Sequence, residues 1–276
     1  MNENGLPLSE KGLPLNGRGL SLNEKGLSLN EKGLPLSEKG LPLNGRGSAP
    51  GGEVRGAPAP AMIKPEGVFM LYDLSPTIRP EIPVWPGDTQ FQSRLTWSIA
   101  EGASVNLSAV TTTPHLGSHA DAPFHTEARG EGISDMAIER YLGPCRVIKV
   151  PPQPLIEPRH VEGIDLTSPA RILFKSESVR DRKVFPERFT ALSPEIAALL
   201  AERGVLLVGM DTPSVDPFDS KTLDAHHALF RGGVAILEGL VLDGVPEGVY
   251  ELIALPLKMA GLDASPVRAV LRSLEA

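Results

Sequence analysis

The sequence predicts a mixed α/β domain in which strands outnumber helices. Three observations carry this: short branched apolar runs recur along the chain, one segment has both helix start and stop signals, and Gly or Pro punctuates most boundaries. Val68 to Leu74 is an apolar run closed by Ser75-Pro76, a strand followed by a turn. Phe91 to Ile99 and Val105 to Val110 mix apolar and polar residues at short period, as half-buried strands do. Arg146 to Val150, Ile172 to Phe174 and Val205 to Val208 are short, branched and apolar, the pattern of strands buried on both faces. Ser193-Pro194-Glu195 opens a helix with an N-cap, a proline at the first position and an acid in the first turn; Gly204 closes it. Thr222 to Phe230 reads as helical, Val234 to Val241 and Tyr250 to Leu257 as strands, and Ser265 to Leu274 as a short terminal helix.

This domain does not extend to the N-terminus. Residues 5–46 are six consecutive copies of a heptad, G-L-(P/S)-L-(N/S)-(E/G)-(K/R), beginning at Gly5. Seven residues is the coiled-coil period, but Gly would sit in the seam and Pro recurs at positions 7, 14, 35 and 42. An interior helical Pro costs about 3 kcal/mol, so the coiled coil is rejected. A stacked solenoid would find two small apolar side chains per repeat and no aromatic, too little core. Residues 1–61 are therefore expected to be a disordered low-complexity extension, and residues 62–276 the folded domain.

Composition excludes several functions. The 27 basic and 34 acidic residues leave no basic footprint for nucleic acid. No apolar run has the length of a membrane span, and no apolar signal core stands at the N-terminus, so a cytoplasmic protein is expected. One cysteine, Cys145, excludes a disulfide framework and a thiolate zinc site. No G-x-S-x-G elbow and no glycine-rich nucleotide loop occurs.

The six histidines are not scattered. Residues 115–125 read H-L-G-S-H-A-D-A-P-F-H, which places His115, His119, Asp121 and His125 within eleven positions. If the segment were helical, His115 and His119 would share a face; if extended, His119 and Asp121 would. Imidazole nitrogens with a carboxylate suit zinc or another borderline divalent cation. The plainer alternative is a polar loop whose histidines cap backbone groups. The second cluster is Asp224-Ala225-His226-His227, followed by Glu238 inside a run that otherwise reads as a buried strand. A buried carboxylate must be paired, protonated or bound to a metal; an ion pair with Arg231 is the plain alternative. His160 stands alone and is expected on a surface loop, while Asp211 and Asp216 are explained by turn capping at least as well as by catalysis.

The eleven-residue segment resembles the H-x-G-(T/S)-H-x-D-x-P-x-H signature of the cyclase-like metal hydrolases. More narrowly, the domain is similar to the bacterial kynurenine formamidase (arylformamidase) branch. The stretches Tyr72-Asp73-Leu74-Ser75, Val84-Trp85-Pro86-Gly87-Asp88, Asp211 to Asp216, Leu237 to Leu242 and Tyr250 to Leu257 carry that narrower likeness. It runs from about Leu71 to Leu271 and leaves out the repeat extension. The resemblance implies a swivelling β/β/α fold and a homodimer. It also implies two divalent cations per subunit, with zinc foremost: one on His115, His119 and Asp121, the other on Asp121, His226 and Glu238. The family spacing of twelve residues to the Glu selects His226 over His227. His125 would donate and accept the proton, and Trp85 would contact substrate. The implied activity is hydrolysis of N-formyl-L-kynurenine to L-kynurenine and formate. Its rivals are another cyclic- or aryl-amide hydrolase of the superfamily, and a non-catalytic metal-binding dimer.

Overall fold

Alternation along four short strands builds two cores from one sheet. A computed structural model describes residues 69–274, so the expectation for 1–61 lies outside the described residues. The chain enters through β1 (Leu71–Asp73), then forms β2 (Gln92–Trp97), β3 (Leu107–Thr111) and β4 (His119–Asp121). There follow β5 (Leu142–Lys149), β6 (Leu155–Ile156), β7 (Arg171–Lys175) and β8 (Ala191–Leu192). Next come α1 (Pro194–Glu202), β9 (Leu207–Met210), α2 (Asp224–Arg231), β10 (Ala235–Glu238), β11 (Gly248–Ile253), β12 (Ala264–Pro266) and β13 (Val270–Ser273). The mixed α/β class is what forms.

A nine-stranded sheet has the order β1-β13-β11-β5-β7-β9-β10-β4-β12. Its centre, β5-β7-β9-β10, is parallel; the flanks are antiparallel. Val147, Leu173, Leu207, Ala235 and Leu237 join one core, and their neighbours Ile148, Ile172, Phe174, Val208 and Ile236 join the other. That is the period of two expected of a strand. Both faces are covered, so the central strands read as continuous apolar runs. Helices α1 and α2 pack on the second core through Ile196, Leu200, Ala225 and Leu229. The α1 start is as the sequence indicates, with Ser193 Oγ accepting from the Ile196 amide at 3.3 Å.

Two expectations need correction. Ser265 to Leu274 is not a helix: it contains the end of β12, a break around Val267 to Ala269, and β13, which pairs with both β1 and β11. Pro266 removes a helix donor, and two available strand edges satisfy the backbone better than an isolated turn would. The strands β2 and β3 form where expected but are exposed on both faces, not half-buried. They pair only with each other among the described residues. No helix among the described residues is long and apolar enough to cross a membrane.

Candidate active site

The site is assembled by the antiparallel flank of the sheet. Strand β4 lies between β10 and β12, with Glu238 opposite His119 and Ala264 opposite Asp121. The 119–121 segment is therefore extended, and His119 and Asp121 share a face with Glu238 beside them. Gly239, just after Glu238, has a φ of +66° and packs against Gly117; a Cβ there would collide with the Gly117 carbonyl. Only glycine permits both the backbone conformation and this approach. The Ser118 hydroxyl lies 2.9 Å from the carbonyl oxygens of both Leu74 and Gly239, which stitches the loop to two strands.

Five expected metal ligands converge. Asp121 Oδ1 is 3.0 Å from His115 Nδ1 and 3.4 Å from His119 Nε2, while its Oδ2 is 3.5 Å from His226 Nε2. Glu238 closes the group, 3.5 Å from His119 Nε2 and 3.4 Å from His226 Nε2. Two sets, His115-His119-Asp121 and Asp121-His226-Glu238, each place their ligand atoms within 4.8 Å of one another, and Asp121 belongs to both. All but His115 are buried.

The residues fit a cation on a specific observation. Both oxygens of Asp121 and Nε2 of His226 are buried without a hydrogen-bond partner. Such orphans are costly unless something else satisfies them, and an ion between them would do so. Each imidazole has its far nitrogen anchored. His119 Nδ1 is 3.0 Å from the Gly117 carbonyl, His226 Nδ1 is 2.6 Å from Asp216, and His115 Nε2 is 3.0 Å from Asp263. Anchoring of this kind fixes which nitrogen faces a metal.

The charges answer one another. Burial pulls His115 down, but hydrogen bonds and proximity to Asp121 and Asp263 outweigh it and hold the imidazole up at about 9. Burial also opposes the charged forms of His119 and His226, and the surrounding carboxylates raise both nonetheless. Asp121 resists burial because three histidines face it, and its carboxyl sits well below the usual range. Glu238 is held down likewise, against burial and the neighbouring Asp121 charge, by His119 and His226.

His125 stands at the edge of the cluster, its ring centre 4.3 Å from that of His115 and 5.6 Å from that of His226. It lines a cavity of about 600 Å³ together with His115, His119, His226, Glu238 and Trp85. All seven expected site residues thus meet at one place. His227 does not join them: its Nδ1 lies 4.0 Å from Glu127. His160 is half-buried in a short 3-10 helix, Pro158–Val161, where its Nδ1 accepts from the Glu157 amide. Arg231 is not the partner of Glu238, whose Oε1 accepts from the Val215 amide at 2.7 Å.

The anchoring role of Asp216, and several further residues altogether, escape the sequence reading. Asp216 accepts the amides of Ala225 and His226 at the start of α2 and the ring of His226 as well. It is a cap and an anchor at once. Asp211, by contrast, is structural, accepting the amides of Ser176 and Glu177. Asp263 comes from a loop far along the chain with no motif around it. Phe185 and Phe218 each stand 5.1 Å from Trp85, ring centre to ring centre, and 6.0 Å from one another. Arg182 is the one Lys or Arg among the described residues that line the cavity. Isolated residues of this kind have no spacing by which a sequence could flag them.

Comparison with known proteins agrees with the geometry. The Cyclase family model matches residues 72–217. The chain is similar to a potential metal-dependent hydrolase with cyclase activity, at 28% identity and a TM-score of 0.67, covering 76% of this chain and all of the other. It is similar to a predicted metal-dependent hydrolase from Bacillus stearothermophilus, at 27% identity and a TM-score of 0.64, covering 75% and 100% of the two chains. Isatin hydrolase A from Labrenzia aggregata, bound to benzyl benzoate, shares the fold at 22% identity and a TM-score of 0.65, covering 75% and 94%.

Proposed function

Because the chain belongs to the Cyclase family, we propose that it is a metal-dependent amide hydrolase that cleaves N-formyl-L-kynurenine to L-kynurenine and formate. The observation that carries the hydrolase reading is the pair of ligand sets sharing Asp121, with its oxygens orphaned. In this reading His115, His119 and Asp121 hold one divalent cation, and Asp121, His226 and Glu238 a second, with zinc suited to both. When bound, such ions polarise the amide oxygen and bring the pKa of a water towards neutrality. The protein's own residues do the rest. Trp85 and Phe185 form an aromatic wall against which an aryl ring packs. His125, facing the same cavity, delivers the proton that the aniline nitrogen needs as the formyl C–N bond breaks.

Arg182 favours an amino-acid substrate over a neutral cyclic amide. Its hydrogen bond to the Asp211 carbonyl and its approach to Asp243 are both long, at 3.5 Å, which leaves the guanidinium free to take an α-carboxylate. The test is formate release from N-formyl-L-kynurenine beside ring opening of isatin. Arg182→Gln is expected to raise KM for N-formyl-L-kynurenine about 10-fold and to leave 2-formamidoacetophenone, which lacks the amino-acid head, unchanged. Turnover of isatin without formate release from the first substrate would replace this reading by the cyclic-amide one.

The proposal includes a homodimer, with the β2–β3 ribbon as the surface that a second copy covers. Leu95, Trp97 and Val110 are 57, 58 and 62% exposed there. A lone two-stranded ribbon is marginal in water, and a two-fold pairing of like ribbons gives it partners. Trp97→Asp is expected to turn a dimer into a monomer by size exclusion with light scattering. A wild-type monomer at micromolar concentration sinks the idea.

A further inference from the structure

Four carboxylates around the site touch imidazoles, and Asp263 alone among them touches His125. Asp263 Oδ2 lies 3.0 Å from His115 Nε2 and 3.4 Å from His125 Nδ1. The same oxygen therefore faces one expected metal ligand and the expected proton-transfer group. It ends the loop that leads into β12, and the sheet fixes its position. The Asp263 carbonyl accepts from the Ala122 amide at 2.8 Å, one residue before Ala264 pairs with Asp121 across β12 and β4. Asp263 is thus tied to the strand that carries Asp121.

The ring orientations show what the carboxylate does. His119 and His226 turn Nε2 towards Asp121 and anchor Nδ1 elsewhere. His115 is reversed: its Nδ1 faces Asp121 and its Nε2 faces Asp263. Without Asp263, the outward nitrogen of His115 would have no acceptor among the described residues, and the ring could turn over. The contact to His125 occupies Nδ1 and leaves Nε2 as the nitrogen available to the cavity.

We infer that Asp263 is a positioning residue that couples the metal site to proton transfer, holding His115 with Nδ1 inward and His125 as the tautomer protonated on Nδ1. This rests on the metal-site reading above, and its chemistry is that of a carboxylate oriented behind a ligating imidazole. One carboxylate serving both rings means that metal loading and the state of His125 are set together. Its removal therefore has two separable consequences.

The experiment measures both without any substrate. Zinc affinity is determined by competition with a chromophoric chelator for the wild type, Asp263→Asn and Asp263→Ala. The tautomer of His125 is read from ring ¹⁵N shifts of the zinc-loaded protein, assigned with His125→Ala. Asp263→Ala is expected to weaken zinc binding about 10- to 100-fold and to move His125 towards the Nε2-protonated form. Asp263→Asn, which keeps the shape and one acceptor, is expected to fall between. The carboxylate is partly exposed, and circular dichroism confirms that each variant is folded. Zinc affinity within twofold of wild type, or an unchanged His125 tautomer in Asp263→Ala, overturns the inference. Failure to cleave N-formyl-L-kynurenine would overturn the formamidase reading alone, since neither readout uses it.

Discussion

Asp121→Asn is expected to cut amide hydrolysis about 10³-fold and to abolish the thermal stabilisation that added divalent cations give. Asp121 is fully buried and shared between both ligand sets, so one substitution weakens both. Several kcal/mol of transition-state stabilisation depend on such a cation, and about 4 kcal/mol corresponds to that factor. Stabilisation by a bound ligand is about 2.7 kcal/mol at one hundred times its Kd, which thermal melts read easily. The pH dependence adds a sign that can be checked. After chelation, the histidines with raised pKa values contribute stability that is full below about 6.5 and is lost as pH rises through about 9 for His115. The carboxylates held low, Asp216 and Asp263 among them, contribute stability present above about 4 and lost as pH falls through their folded values. The chelated protein should therefore weaken from pH 6.5 to 9. Cation binding requires neutral imidazoles, so loading should stabilise most in that same window. A difference in Tm between loaded and chelated protein that does not grow from pH 6 to 9 would refute the assignment of these histidines as ligands.

His125→Ala is the second large effect. General acid help is worth about 10² to 10⁴ in rate, and kcat is expected to fall by that range while bound metal, counted by elemental analysis, stays at the wild-type value. His125 lies outside both ligand sets that share Asp121, which is why metal should remain. The chemistry offers a sharper check. An aryl formamide whose ring bears a nitro group has a leaving nitrogen that needs a proton less, so the deficit of His125→Ala should shrink with it. An equal deficit for both leaving groups would mean that His125 does something other than protonate the departing amine.

The two ligand clusters were legible because strands and turns place chemistry at fixed local spacing. His119 and Asp121 sit two apart on β4, and their shared face follows from the backbone alone. Glu238 was visible as a charge inside an otherwise apolar run, which a buried strand does not carry without a reason. The terminal segment misled because Ser265 to Leu274 is short and its pattern is ambiguous. Its strand state depends on pairing with β1 and β11, which lie elsewhere in the chain. The exposed ribbon misled for a related reason. Alternation in β2 and β3 announces strands but cannot say whether anything in the same chain covers them.

By itself, then, the sequence determined the α/β class, the buried core strands, the capped helix α1 and the two clusters of ligand candidates, to which the family resemblance added Trp85 and the choice of His226 over His227. These are local properties: propensity, period and spacing act within a dozen residues. Only the tertiary structure decided that Glu238 faces His119, since that is a matter of register between β10 and β4. Only it placed Asp216 behind His226, Phe185 against Trp85, and Asp263 between His115 and His125, 148 and 138 positions away along the chain. The acceptor behind an imidazole can come from any segment that folding brings within 3 Å, and no spacing rule connects the two. The ligands are written in the chain; what holds them in place is written in the fold.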